Sequence, residues 1–127
     1  MPLQLALKGY DVWMGNNRSS RYSNVNKLYP FADQYDHPDY AEQNFKKYDF
    51  SWLDMGDKDL PAMIDAVLEI SQKPKITYVG FSQGTEQFLY GLMTMEDSYF
   101  ADRVHKGVLM APCPFPIVPD FESYKER

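Results

Sequence analysis

An α/β fold with a mostly parallel sheet is predicted by three features of this 127-residue sequence. Branched and aromatic runs of strand length alternate with segments of helical periodicity. The strands are nearly continuous in apolar residues, as in sheets covered on both faces, and strong turn signals separate the elements. The length is that of one modest domain, and no internal repeat is visible.

Leu3, Ala6 and Leu7 stand at i, i+3 and i+4, as in the last turns of a helix, and Gly9 follows where a left-handed cap is wanted. Tyr10 to Met14 then reads as a short strand closed by the turn residues Gly15-Asn16-Asn17. Residues 18 to 47 show little periodicity, and Pro30 and Pro38 interrupt them, so an ordered but irregular excursion is expected. Tyr48 to Trp52 reads as a short extended or turn segment. Asp57 or Asp59 can cap the next helix, Pro61 suits its first turn, and Leu60, Met63, Ile64, Val67 and Leu68 form one apolar stripe running to about Ser71. Gln72-Lys73-Pro74 stops that helix. Lys75 to Val79 is a strand, Phe88, Leu89, Leu92 and Met93 lie on a second helix, Ser98 can cap one further turn to Val104, and Gly107 to Ala111 is a buried strand. Pro112, Pro114, Pro116 and Pro119 break regular structure beyond it and leave an apolar extended segment with Phe115, Ile117 and Val118.

Composition excludes several function classes. Thirteen basic and 18 acidic residues give a net charge of −5. Without a basic cluster there is no footprint for nucleic acid or an anionic membrane, because both require concentrated positive charge. Apolar stretches of five or six residues fall far short of the roughly 20 that a membrane-spanning helix needs. With 44% hydrophobic residues the chain has the material for a core. The single Cys113 cannot pair internally and gives no sign of an oxidising compartment. The first eight residues show neither a basic leader nor a long hydrophobic stretch, so no signal peptide is expected within this chain, and Asn17-Arg18-Ser19 is a glycosylation triplet without meaning unless the protein is secreted.

Gly80-Phe81-Ser82-Gln83-Gly84 matches G-x-S-x-G directly between a strand and a helix, the context of a nucleophile elbow. In that geometry Ser82 Oγ stands exposed above the sheet edge as the attacking oxygen. The backbone N–H of Gln83, at the helix start, points to where negative charge develops on an ester carbonyl, as half of an oxyanion hole. Gly80 and Gly84 are expected because a side chain at either flank would collide with the neighbouring strand or helix. The bland alternative is a serine that merely occupies a strand-to-helix turn.

Serine needs a base oriented by a third group. Only His37 and His105 are present, and both sit among charged residues that read as solvated turns. Glu86, Glu96, Asp97 and Asp102 lie on helices beside the elbow, not on a separate loop. Asp120 and Glu122 read as a solvated tail, and Cys113, between prolines, as structural. Trp13, Trp52 and the tyrosines read as core or pocket lining, because a stacking platform for nucleic acid would need a basic groove. No Cys/His spacing suggests a metal, and no cofactor is expected.

Four quoted segments carry a family resemblance. Gly9 to Arg18, Asp49 to Trp52, Asp59 to Ala62 and Tyr78 to Thr85 together resemble the acid lipases of the gastric and lysosomal type, within the α/β-hydrolase superfamily. Phe81 stands where that family usually has His, and Ser19 where it usually has Gly. The resemblance implies hydrolysis of triglycerides or steryl esters by a Ser-His-Asp triad under a lid, in proteins that are mostly secreted or lysosomal. It also implies that residues 1–127 form a partial α/β-hydrolase domain that contains the elbow and lacks the upstream oxyanion loop and the downstream acid and histidine. A strand preceding Leu3 would belong between residues 10–14 and 75–79. Its absence would leave unpaired strand edges able to pair with another chain.

The reading that follows is a serine ester hydrolase of lipase type in complete form, with this isolated chain expected to lack turnover. The alternatives are a non-catalytic remnant or interaction module, and another serine hydrolase on the same fold, such as a thioesterase or peptidase.

Overall fold

The computed structural model describes residues 1–113. The expected segment with Phe115, Ile117 and Val118, together with Asp120 and Glu122, lies outside them. In chain order the elements are α1 (Pro2–Leu7), α2 (Tyr40–Tyr48), α3 (Trp52–Asp54), a π-helical turn (Met55–Asp59), α4 (Leu60–Ser71), β1 (Ile76–Phe81), α5 (Gln83–Thr94), α6 (Asp97–Arg103) and β2 (Val104–Met110). β1 and β2 pair in parallel, Tyr78 opposite Gly107 and Gly80 opposite Leu109, with an irregularity beside Ile76 that makes His105 the extra residue. The long connection through α5 and α6 is what parallel pairing requires.

The core is small and lies on one face of this sheet. Leu60 and Ile64 from α4, Phe88 from α5 and Phe100 from α6 are buried together, with Leu68, Ile76, Tyr78, Val104 and Leu109 packed around them. Phe88 stacks on Tyr78 with ring centroids 4.6 Å apart and meets Phe100 edge-on at 5.1 Å. These are the favoured offset and T-shaped arrangements. The other face carries Thr77, Val79, Phe81 and Val108, all exposed. Strands expected to be covered on both faces are thus covered on one.

Ser51 starts the central helical run. Its Oγ accepts from Leu53 N at 3.2 Å and its own N–H donates to Asp54 Oδ2 at 3.0 Å, a reciprocal capping box. Helix therefore begins at Trp52 and continues through the π turn, and the expected cap at Asp57 or Asp59 is replaced by helical backbone, with φ −73° and ψ −46° at Asp59. The Asp59 carboxylate instead receives Arg18, from the backbone N–H at 2.9 Å and from Nε at 2.8 Å, tying the irregular loop to the helix. That hydrogen bond raises the Arg18 pKa against the opposing effect of burial. Gly56 is buried because α5 passes close: a Cβ there would sit 2.8 Å from the Tyr90 ring and 3.2 Å from Gln87 O. Gln72, left-handed at φ 56°, ends α4 by donating to Leu68 O, as the stop signal there predicts.

Four further expectations change. Tyr10 to Met14 is extended but unpaired, with Tyr10, Trp13 and Met14 exposed. Strand propensity expresses packing against a neighbouring strand, and here no neighbour is present among the described residues. Within the excursion, α2 is a helix whose inner side is polar. Gln43 accepts from Phe31 N at 2.9 Å, Asn44 donates to Ala32 O at 2.9 Å, and the buried Lys47 ammonium pairs with Asp33. Burial pulls the Lys47 pKa down, but the hydrogen bond and charge of Asp33 outweigh it and leave it raised. α6 begins at Asp97 after Glu96, so Ser98 lies inside its first turn and does not cap it. β2 begins at Val104, which places His105 in the strand and not in a turn before it.

Ile64 is 2% exposed and sits at the centre of the core. Ile64→Ala should lower the stability of the chain by about 2–5 kcal/mol, read from urea unfolding. A loss within about 0.5 kcal/mol would show that this cluster does not hold the fold.

Candidate active site

β1 ends at Phe81 and α5 starts at Gln83, so the whole reversal from strand to helix falls on Ser82. Its backbone stands at φ 50°, ψ −118°, a region that residues other than glycine rarely enter. Three bonds hold it there. Ser82 N donates to Met110 O at 3.1 Å, the bond that closes the last register pair of the sheet, and Ser82 O accepts from Thr85 N at 2.8 Å and from Thr85 Oγ1 at 2.6 Å. The Ser82 hydroxyl does not cap the helix, and the residue is half-buried. Gln83 N–H opens α5 and has no backbone partner among the described residues, so this donor lies at the positive end of the helix dipole.

The two elbow glycines are not equivalent. A Cβ at Gly80 would lie 2.9 Å from the Tyr78 ring and 3.0 Å from the Gly84 carbonyl, too close for any side chain. At Gly84 a Cβ would meet only Tyr78 Oη, at 3.4 Å, an ordinary contact. The collision expected at both flanks occurs at Gly80 alone. Tyr78 completes the turn by donating its hydroxyl to Gly84 O at 2.7 Å, and burial pushes its phenol pKa up to about 12.

Neither histidine joins this group. His105 follows Val104 at the start of β2, whereas Ser82 is bonded to Met110 at the end of that strand. Five residues of extended chain separate them by about 16 Å. His37 stacks on Phe31 at 3.7 Å between ring centroids, and its Nδ1 accepts from Asp39 N. Glu86 is on α5, Asp97 and Asp102 are on α6, and Glu96 precedes α6. The described residues contain no cluster of metal-ligating side chains. Trp52 packs edge-on against Tyr90 at 5.4 Å, while Trp13 is 44% exposed. Cys113 is half-buried, and its backbone N–H donates to Thr85 Oγ1 at 3.0 Å.

Sequence reasoning missed Thr85 and the Arg18–Asp59 clamp. Thr85 lies one residue past the pentapeptide, and the only available signal was a hydroxyl residue three positions into a helix. For Arg18, a lone arginine 41 positions from its carboxylate leaves no local trace.

A serine at positive φ between a parallel strand and a helix defines an α/β protein built around a nucleophile-type turn. The sequence profile described as the alpha/beta hydrolase fold matches residues 2–126, and the chain belongs to that family. It is 38% identical to Lipase 1 of Drosophila melanogaster over 111 residues, 87% of this chain and 22% of that protein. It is 36% identical to Lipase lipl-3 of Caenorhabditis elegans over 82% of this chain and 23% of the relative. With Lipase member K of Mus musculus it shares 42% identity over 64% of this chain and 18% of that protein. The chain thus spans about a fifth of the length of the curated relatives it matches. No solved structure matches it.

Two expectations follow from the elbow geometry. Gly80→Ala should cost about 1–3 kcal/mol in urea unfolding, whereas Gly84→Ala, in the first turn of α5, should be neutral or stabilising; equal losses would mean that the close approach at Gly80 is absent. Ser82→Gly should raise the unfolding midpoint, because relieving about 1–3 kcal/mol of backbone strain outweighs the ~1 kcal/mol by which glycine favours the unfolded chain. A lowered midpoint would show that the turn is unstrained.

Proposed function

We propose that this chain carries the nucleophilic part of a serine ester hydrolase of lipase type. The backbone of Ser82, turned to positive φ at the first residue before α5, is the observation that supports this most directly. In the proposed reaction Ser82 Oγ attacks the ester carbonyl carbon and its proton passes to a base. The oxyanion that forms is held by Gln83 N–H, whose fixed dipole needs no reorganisation as charge develops. Collapse breaks the ester C–O bond and expels the alcohol, which takes the proton back from that base; water, deprotonated by the same base, then releases the acid and the proton returns to Ser82 Oγ. The similarity to proteins named lipases favours lipid esters as the substrate class.

Residues 1–127 are read as part of an α/β-hydrolase domain. The base and its orienting acid would come from outside this chain, because His37 is committed to Phe31 and Asp39 and His105 lies at the opposite end of the strand from Ser82. Without a base, turnover falls by on the order of 10⁶, so the chain alone would be close to inert. Those same positions of the two histidines favour the second reading, a non-catalytic scaffold that retains the elbow.

Covalent labelling separates the two. A fluorophosphonate ester incubated with the chain should form an adduct at Ser82 and at no other serine. Labelling should be slow alone and faster as imidazole is added to supply the base, and Ser82→Ala should abolish it, all by mass spectrometry of tryptic peptides. No adduct at Ser82 at any imidazole concentration leaves the scaffold reading in its place.

A further inference from the structure

Among the described residues Thr85 is the most thoroughly buried polar one, with no exposed surface, and the elbow pattern assigns it nothing. Its hydroxyl is used in both directions. It donates to Ser82 O at 2.6 Å and accepts from Cys113 N at 3.0 Å. The first bond reaches back across the helix start to the carbonyl of the strained serine. The second reaches sideways to the segment that leaves β2. That segment contains Ala111, also a non-glycine residue at positive φ, 47°, one position after Met110, whose carbonyl receives Ser82 N. Two sharp reversals, one after each parallel strand, therefore meet at a single hydroxyl.

Strained backbone persists only where its surroundings over-determine it. At Ser82 the amide is fixed by β2 and the carbonyl by Thr85, which leaves the Cα–Cβ direction little freedom. The same hydroxyl makes the position of that carbonyl depend on where residues 111–113 lie. We propose that Thr85 is a positioning residue: through its hydroxyl it aims Ser82 and couples the elbow to the segment after β2. This deepens the reading of Ser82 as a nucleophile and rests on it. The apolar methyl of threonine has a separate, purely space-filling part.

Valine keeps the shape of Thr85 without the hydroxyl, and serine keeps the hydroxyl without the methyl, so the pair divides the two parts. In the full chain, Thr85→Val should speed amide hydrogen exchange at Cys113 about tenfold, the scale of one lost hydrogen bond, while exchange in β1 stays as in the parent. It should also slow imidazole-assisted fluorophosphonate labelling of Ser82 about tenfold or more. The loss should fall in the maximal labelling rate and leave the half-saturating probe concentration and the final extent of labelling unchanged. A merely structural role would instead slow labelling only in proportion to the folded fraction, read independently from urea unfolding, and would speed exchange in β1 as well. Thr85→Ser should restore both readouts to near parental values.

Parental Cys113 exchange in Thr85→Val overturns the coupling, and parental labelling in that variant overturns the positioning role. Should Thr85→Val fail to fold, Thr85→Ser decides: parental exchange and labelling support the proposal, and loss of either overturns it. If the parent chain itself gives no Ser82 adduct, the nucleophile reading fails, yet Cys113 exchange still reports whether the hydroxyl couples the two turns.

Discussion

Six register pairs join β1 to β2 in parallel, and the bond from Ser82 N–H to Met110 O closes the last of them. Because the strands run the same way, both release the chain at the same end of the sheet. The start of α5, the strained serine and the exit of β2 are gathered there, within one or two hydrogen bonds of one another. The opposite end of the sheet receives His105 and the entry from α4. The direction of pairing therefore brings a hydroxyl together with a helix N–H that has no partner among the described residues, and holds the nearest imidazole of the sheet a strand length away.

The turn at Ser82 is built from local interactions. Ser82 is fixed by a neighbour three residues on, by a glycine two residues back, and by the adjacent strand. A stretch of chain about a fifth as long as its relatives suffices to form it. Nothing comparable ties either histidine to that turn: His105 stands at the other end of β2, and His37 stacks on Phe31.

What was legible in the sequence follows the same division. α4, α5 and β1 were readable because their apolar periodicity faces a core that lies within the described residues, and the elbow because glycine spacing records a close approach. α2 was hidden because Gln43, Asn44 and Lys47 face inward, so its buried side is not the one that apolar residues mark. Tyr10 to Met14 was misread for the opposite reason: its residues favour a strand, but a strand is a relation between two segments. Thr85 was invisible because nothing in a one-dimensional pattern shows that Cys113 returns to it from 28 positions away.

The π turn at Met55–Asp59 has a geometric effect on both of its neighbours. Trp52 meets Tyr90 on α5, and Leu60, eight positions later, enters the core beside Phe88 on the same helix. At about 100° per residue, an unbroken α-helix would rotate those two side chains some 80° apart. Absorbing one extra residue makes the interval count as seven, about 20° short of two full revolutions. A single surplus residue thus lets one long rod present its aromatic head and its aliphatic middle to the same partner, as a vernier corrects two scales that do not quite divide.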